Sequence, residues 1–192
     1  MRKVIASTFV TLDGVMQAPA EPEEIEGGGW QISYLNDESI QYKFDELVAS
    51  DALLMGRVTY ELLAGAWPSM TDEGLIEGFA GRMNSLPKYV ASTTLTELAW
   101  NNSRLIKGNL VQEVAKLKHE AGQDILVVGS SDLVHQLTHH DLIDEYRLMI
   151  PPVVAGNGKH LFRDGAEKKV FTLLETKTFS NGVVVLSYRA NG

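Results

Sequence analysis

The chain has 192 residues, of which 44% are hydrophobic and 22% charged, and its mean hydropathy is −0.07. This composition predicts one globular domain over residues 1–192 and excludes disordered, collagen-like and membrane proteins, while the absence of cysteine excludes disulfides, thiolate zinc sites and cysteine nucleophiles. A net charge of −8 without a basic cluster argues against nucleic acid as a partner, and the lack of an apolar signal segment predicts a cytoplasmic location.

Short apolar stretches alternate with amphipathic ones, which predicts an α/β fold with a mostly parallel central sheet. Ile125–Val128 is apolar throughout, as in a strand buried on both faces, whereas Val170–Thr178 partly alternates, as in a strand with one wet face. Asn181-Gly182 predicts the turn of a C-terminal antiparallel hairpin. The predicted strands are Lys3–Val10, Ala52–Met55, Tyr89–Ser92, Ile125–Val128, Tyr146–Ile150, Val170–Thr178 and Val183–Tyr188.

Five stretches between these strands have the apolar spacing of amphipathic helices, most of them with a capping residue at the start. They run from Asn36 or Asp37 to about Ser50, from Val58 to Leu63, from Asp72 to Asn84, from Asn109 to before Gly122, and from Ser130 or Ser131 to near His139.

The segment Met16–Gly29 predicts a loop, because it contains two prolines, four glutamates and three consecutive glycines. It follows the first strand, where an α/β fold often carries a mobile lid over its site. A merely solvated insertion is the alternative.

The segment Leu53–Glu61 predicts an anion site. An apolar strand ends at Gly56, and a helix follows directly with Arg57, Val58 and Thr59. Glycine allows a ligand to approach the backbone, a helix N-terminus presents unpaired amides, and Arg57 and Thr59 add a cation and a hydroxyl. The alternative is an ordinary turn at Gly56 followed by a surface cation.

A second motif, Gly129-Ser130-Ser131, follows the buried strand Ile125–Val128. The carboxyl end of a parallel strand is where an open α/β sheet binds ligands. The motif is neither GxGxxG nor a Walker loop, and the two serines are alternatively plain helix caps.

A third cluster, Ser92-Thr93-Thr94, ends the strand that begins at Tyr89. By itself it is a weak signal, because hydroxyl groups after strands usually cap turns. Together the three strand ends predict one rim on which a phosphate-bearing ligand, such as a nicotinamide dinucleotide, would lie.

Two other kinds of site are excluded. His135 and His139 have the i, i+4 spacing of zinc ligands, but no glutamate follows His135 and no third ligand is evident, so no metal is expected. A serine hydrolase is excluded by the lack of a G-x-S-x-G elbow.

The chain resembles the dihydrofolate reductase superfamily and, more closely, the C-terminal reductase domain of bacterial bifunctional riboflavin-biosynthesis deaminase-reductases. The resemblance implies a three-layer fold and an enzyme, an NADPH-dependent reductase similar to 5-amino-6-(5-phosphoribosylamino)uracil reductase. The stretches that carry it are Val4–Ser7 with Thr11–Gly14, Met55–Glu61, Pro87–Ser92, Ile125–Ser131, and Leu142–Glu145 with Pro152–Phe162.

The resemblance also implies which residues bind the cofactor. The adenosine 2′-phosphate would lie near Ser92 and Thr93, which favours NADPH over NADH, and Ala6 and Ser7 would flank the nicotinamide. The remaining cofactor contacts would be Gly56, Arg57, Val58, Thr59, Gly129, Ser130, Ser131, Leu133 and Val134. On the substrate side the resemblance places Trp30, with Met16–Gly29 as the lid, and the neighbouring Asp13 is a substrate candidate or a simple turn residue.

The chain departs from the family pattern at several positions. Ile40 stands where folate-reducing members carry a carboxylate, and Asp37 lies one turn earlier on a nearby face of the helix. Ser130 replaces a glycine, and Lys43 and Lys159 are candidates for binding a substrate phosphate, although neither belongs to a recognisable motif.

These departures leave alternatives open: a true dihydrofolate reductase, or a nucleotide-binding relative without catalysis. Relatives of this kind usually form homodimers. The apolar segment Ile150–Val154 and the C-terminal strands are the edges that would pair.

Overall fold

The computed structural model describes residues 1–191 and contains an eight-stranded sheet with helices on both faces. The strands are β1 (Val4–Phe9), β2 (Ser50–Gly56), β3 (Lys88–Ala91), β4 (Ser103–Ile106), β5 (Asp124–Val127), β6 (Glu145–Ile150), β7 (Phe171–Thr178) and β8 (Val184–Ala190). The helices are α1 (Asp37–Ala49), α2 (Arg57–Ala66), α3 (Phe79–Ser85), α4 (Leu110–His119) and α5 (Ser131–His139), with short 3-10 turns at Ile32–Tyr34 and Trp67–Ser69.

The strand order is β4-β3-β2-β5-β1-β6-β8-β7. The first six strands in this order pair in parallel, and β8 pairs antiparallel with both β6 and β7. The predicted mostly parallel sheet with a C-terminal antiparallel hairpin is therefore confirmed. Gly182, at the hairpin turn, has a φ of 85°, which glycine adopts without a steric penalty.

Neighbouring residues of β1 face opposite layers, because side chains alternate along a strand. Ile5 packs with α1, α2 and α3 in one apolar cluster, and Ala6 packs with α4 and α5 in the other. The fold thus has three layers, as the family resemblance implies. Its consequence for function is that α1 and α5 lie on opposite faces of the sheet.

One predicted element is wrong, and one strand has no prediction. The helix predicted over Asp72–Asn84 exists only from Phe79 to Ser85, because Gly74 and Gly78 adopt positive φ angles that interrupt it. The Asp72 carboxylate instead accepts hydrogen bonds from the amides of Gly78 and Ala80, which lowers its pKa. Strand β4 has no predicted counterpart, because its four residues are too short a run to show a clear period.

The strand β7 also differs from expectation. Val170–Thr178 was predicted to have one wet face, but six consecutive residues of β7 are exposed and its first two are only half-buried. The reason is topological: β7 is the last strand of the sheet and has a neighbouring strand on one side only.

The loop Met16–Gly29 contains no helix or strand, in agreement with its composition. The Met16 amide donates to the Lys159 carbonyl at 2.9 Å, which anchors the start of the loop. The Gly29 amide donates to the Ala18 carbonyl at 2.8 Å, which closes the loop on itself. Within residues 1–191, no helix is both long and apolar enough to cross a bilayer.

Candidate functional site

The topology of the sheet points to the crevice between the carboxyl ends of β1 and β5 as the place for a ligand. These strands are neighbours, but the chain leaves β1 toward α1 on one face and leaves β5 toward α5 on the other. Such a switch point opens a crevice at the carboxyl edge of an α/β sheet. We call the space between Ser7–Phe9 and Val128–Ser131 the β1–β5 crevice.

Beside this crevice the turn after β2 touches the turn after β5. The Gly56 amide donates to the Gly129 carbonyl at 3.0 Å, and the Gly129-Ser130 peptide is cis. A Cβ on Gly56 would lie 2.5 Å from the Ser130 Oγ, and one on Gly129 would lie 2.8 Å from the Thr59 Oγ1. Both glycines are therefore required for this approach, which we call the turn contact. It brings together four of the residues predicted to bind a cofactor.

The first turn of α5 carries an unused polar group. Ser131 is only 6% exposed, and its hydroxyl has no hydrogen-bond partner within residues 1–191. A buried polar group without a partner is costly, and the first amides of a helix attract anions. This hydroxyl and the two glycines of the turn contact beside it fit a bound phosphate group. Leu133 and Val134, in contrast, place their side chains in the apolar cluster.

The end of β3 lies next to the end of β2, since Ala91 pairs with Gly56. Ser92 accepts hydrogen bonds from the amides of Thr94 and Leu95, so its hydroxyl caps a turn, and Thr93 is exposed beside it.

On α2, the guanidinium of Arg57 is exposed and pairs with Glu61 at 2.7 Å, and Val58 is 48% exposed. An exposed pair of this kind contributes little to stability, so Arg57 can exchange Glu61 for a ligand phosphate.

The Asp13 carboxylate joins two loops. It accepts hydrogen bonds from the Thr11 hydroxyl, from the Gly156 amide at 2.8 Å and from the Ala155 amide at 3.1 Å. The Thr11 hydroxyl and the Gly156 amide lower the pKa of Asp13 to about 2. The geometry therefore favours the turn interpretation of Asp13 over direct substrate binding.

Trp30 lies under the loop Met16–Gly29. It is 7% exposed, and its indole Nε1 donates to the Gln17 carbonyl at 3.0 Å. This contact fixes the loop next to the indole ring, so Trp30 can shape a pocket only in concert with the loop.

Sequence reasoning missed a buried ion network on the α1 face of the sheet. Glu46 is 2% exposed; it accepts a hydrogen bond from the Ser7 hydroxyl at 2.7 Å, and Lys43 and Arg147 donate to it at 3.0 and 3.4 Å. Lys43 also donates to the Ser7 hydroxyl. Ser7 belongs both to this network and to the stretch of β1 that borders the β1–β5 crevice, so the two adjoin at Ser7.

Two more charges complete what we call the ion network. Glu145 accepts a hydrogen bond from Arg147 at 2.7 Å and pairs with Lys3 at 3.4 Å. Burial raises the pKa of the adjacent Tyr42 to about 12, and the Glu46 charge raises it as well. The sequence contained one signal of this network: Glu145 and Arg147 stand two positions apart, on the same face of an otherwise apolar strand.

Three further candidates have clear positions. Lys159 pairs with Asp132 at 2.9 Å on the surface. Ile40 is half-buried and packs against the apolar cluster under α1, and Asp37 is exposed at the start of that helix. Ile40 is the position at which the resemblance implies the carboxylate of a folate reductase, and its side chain is apolar. Within residues 1–191, no group of three histidine, aspartate or glutamate side chains is arranged to hold a metal ion.

Comparison with known proteins gives a consistent result. "Uncharacterized protein YyaP" from Bacillus subtilis (strain 168) is 34% identical over 191 residues, covering 100% of this chain and 96% of that protein. A crystal structure from Shewanella sp. PV-4, assigned by name to riboflavin biosynthesis, superposes with a TM-score of 0.76 at 22% identity, over 99% of each chain.

Dihydrofolate reductase from Enterococcus faecalis, solved with NADP(H), superposes with a TM-score of 0.58 at 13% identity, over 99% of this chain and 97% of that one. At these identities the solved structures show a shared fold. Residues 2–185, nearly the entire chain, match the RibD C-terminal domain. The protein therefore belongs to the RibD C-terminal domain family, and it shares its fold with dihydrofolate reductase.

Proposed function

We propose that this protein is a reductase that uses NADPH to transfer a hydride to a small conjugated or imine-like substrate, in the manner of 5-amino-6-(5-phosphoribosylamino)uracil reductase. The observation that carries this proposal is the turn contact beside the unpartnered Ser131 hydroxyl at the N-terminus of α5. It provides amide and hydroxyl donors at the carboxyl edge of the sheet, as a dinucleotide pyrophosphate requires.

The residues of the crevice take distinct roles in this proposal. The turn contact and Ser131 hold the phosphates, while Arg57, Ser92 and Thr93 bind the adenosine 2′-phosphate. Ala6 and Ser7 form the wall against the nicotinamide ring, Val58 packs beside the cofactor, and Leu133 and Val134 support the first turn of α5 from the core. When bound, NADPH supplies the hydride, and the protein contributes binding and orientation.

The loop Met16–Gly29, with Trp30 beneath it, covers the substrate side and excludes water from the reacting atoms. Asp13 supports this arrangement by joining the start of the loop to residues 155 and 156. In this proposal the substrate is a small molecule.

The test is the shift in melting temperature caused by NADPH and by NADH. A ligand that binds only the folded protein stabilises it in proportion to the logarithm of its concentration over its Kd. We expect a larger shift with NADPH, and a smaller difference between the two in Arg57→Ala, because that variant loses a contact to the 2′-phosphate. Equal and negligible shifts would refute the proposal.

The same protein sample tests the alternatives. NADPH oxidation that depends on dihydrofolate and is inhibited by antifolates would identify a dihydrofolate reductase. The apolar Ile40 argues against this alternative, because folate-reducing members carry a carboxylate at that position. NADPH binding without turnover of any candidate substrate would instead identify a nucleotide-binding relative that has lost catalysis.

A further inference from the structure

The part of the chain that covers the substrate side in the proposed function carries no positive charge. Residues 10–42 run from the end of β1 through the loop Met16–Gly29 into α1, and we call them the covering segment. They contain no lysine, arginine or histidine. The acids of the covering segment are Asp13, Glu21, Glu23, Glu24, Glu26, Asp37 and Glu38.

The elements around the covering segment do not compensate for these seven acids. They are the rest of α1, β6, β7, the first turn of α5 and residues 152–163. Their cations are Lys43, Arg147, Lys159, Arg163 and Lys177, and their acids are Asp45, Glu46, Asp132, Glu145 and Glu175. Each of these cations pairs with one of these acids, at 3.8 Å or less. With histidine neutral, the five positive and five negative charges cancel, and the charge of the covering segment remains.

This balance disfavours a substrate that carries a phosphate or a carboxylate. Lys43 and Lys159, the two candidates for binding a substrate phosphate, already pair with Glu46 at 3.0 Å and with Asp132 at 2.9 Å. Charges at a protein surface act over about 8 Å at physiological ionic strength. An anion that approaches the covering segment is therefore repelled, whereas a cation is attracted.

A buried acceptor at the end of the loop provides a second, independent observation. Gln31 is 8% exposed, and its backbone amide donates to the Pro19 carbonyl of the loop at 2.9 Å. Its side-chain Oε1 is buried and receives no hydrogen bond in the part of the chain that the structure describes. An unpaired buried acceptor is costly, so a ligand N–H group beneath the loop would supply the missing donor.

Exposed apolar side chains flank the loop. Leu12, Ile32 and Val154 are all exposed to solvent. The Leu12 amide donates to the Val153 carbonyl at 2.8 Å, and a Cβ on Gly29 would lie 3.3 Å from the Ile32 Cδ1. Clustered exposed apolar groups beside a crevice are typical of a place where apolar ligand surface is buried. They fit a ligand with an apolar body.

We infer that the substrate is a small apolar imine in its protonated form, with an N–H group and without phosphate or carboxylate. This inference rests on the proposed function, which supplies NADPH as the reductant and sets the covering segment over the substrate. The acids of the covering segment attract its positive charge, and the Gln31 Oε1 accepts a hydrogen bond from its N–H group.

The reaction of such a substrate is balanced without a further reactant. The hydride adds to the carbon of the C=N bond, the electron pair of that bond moves to nitrogen, and the proton already on nitrogen stays there. The product is an amine, and NADPH is oxidised to NADP⁺.

The experiment compares two probes that differ in one substituent. The first, 2-methyl-1-pyrroline, carries a methyl group where the second, 1-pyrroline-2-carboxylate, carries a carboxylate. The rate of NADPH oxidation gives kcat/KM for each, and we call the first value divided by the second the imine preference. In the unmodified protein it is expected to be about ten or more, since only the second probe carries an anionic group.

Reversing charges on the loop tests the electrostatic part of the inference. Glu23 and Glu26 are exposed, and the double variant Glu23→Lys/Glu26→Lys should lower the imine preference about fivefold. Glu73→Lys/Glu77→Lys is the matched control, because it makes the same change in net charge at two exposed residues outside the covering segment. The imine preference of this control should stay that of the unmodified protein.

Gln31 tests the hydrogen-bonding part. Gln31→Met should raise KM for 2-methyl-1-pyrroline about tenfold with little change in kcat, whereas Gln31→Glu keeps an acceptor and should not. Calorimetric titration with 2-methylpyrrolidine, the amine product, measures the same contact without turnover. Its Kd should rise in Gln31→Met by a similar factor.

The outcomes distinguish the inference from the proposed function. If NADPH causes no shift in melting temperature, the proposed function is refuted and this inference with it. If NADPH binds but the carboxylate probe is reduced as well as the methyl probe, or neither probe is reduced, the inference alone is refuted. An imine preference that is the same in the unmodified protein and in Glu23→Lys/Glu26→Lys refutes the role of the covering segment.

Discussion

At the residue scale, Asp13 shows how one side chain shapes the mouth of the crevice. Its carboxylate is saturated by donors from Thr11, Ala155 and Gly156, so it holds the turn after β1 against the segment that follows β6. The low pKa of Asp13, about 2, follows from these bonds and links them to the pH dependence of stability.

Replacing Asp13 with Asn should remove a stabilising contribution that depends on pH. The folded pKa is about 2 and the ordinary value is 3.8, so this contribution is complete above pH 3.8 and is lost as the pH falls through 2. The difference in free energy of unfolding between the unmodified protein and Asp13→Asn, measured with urea, should therefore shrink between pH 4 and pH 2. Asp45→Asn, on the exposed side of α1, is the control. A difference that stays constant down to pH 2 would contradict the assignment.

At the scale of elements, the turn contact joins β2–α2 to β5–α5. Gly56 has a φ of −80°, which alanine also adopts, so the need for glycine here comes from the close approach of Ser130 and not from the backbone angle. Gly129 differs, since its φ of 129° is itself unfavourable for other residues.

Gly56→Ala should weaken NADPH binding about tenfold, because the new methyl group pushes the Ser130 side chain and with it the turn that leads into α5. Gly56→Ala combined with Ser130→Gly should recover most of the affinity, since the atoms nearest to the new Cβ are removed. Calorimetric titration with NADPH measures both.

Gly65→Ala is the matched control for this pair, because no atom lies within 4 Å of the Cβ that it adds in α2. It should leave NADPH affinity unchanged and raise stability slightly, as alanine favours a helix. Equal affinities in the unmodified protein and Gly56→Ala would show that the turn contact does not hold the cofactor.

At the scale of the whole molecule, the sheet ends in an uncovered strand. β7 is eight residues long, and Leu173 and Leu174 are 53% and 47% exposed. Long exposed edge strands are normally shortened, charged or covered, because their free backbone groups pair with other strands. Glu175 and Lys177 give β7 some charge, but they leave these leucines in solvent.

We expect this edge to be covered in a homodimer. Sedimentation at micromolar concentration should give twice the chain mass of 21.1 kDa, and Leu173→Glu should shift the protein toward the single chain. The substitution lies on an exposed side chain, so the fold should tolerate it. A mass of one chain for the unmodified protein at this concentration would contradict the dimer.

The sequence by itself determined the sheet type, most element positions and the family. Alternation of apolar runs with amphipathic stretches is a local property, and a Gly-rich turn between a strand and a helix is visible within ten residues. It also identified Gly56, Thr59, Gly129 and Ser130 as candidates, since each belongs to such a turn. It failed at residues 72–78, where helical spacing continues across Gly74 and Gly78.

Only the tertiary structure decided which of these residues meet. Asp13 and Ala155 are 142 positions apart, and Glu46 and Arg147 are 101 apart, so their contacts depend on strand order, which local periodicity does not specify. Lys88 illustrates the same limit. Lysine is usually a surface residue, yet Lys88 is fully buried and donates to three backbone carbonyls. The reason is that burial of a polar group is decided by the partners that distant segments bring to it.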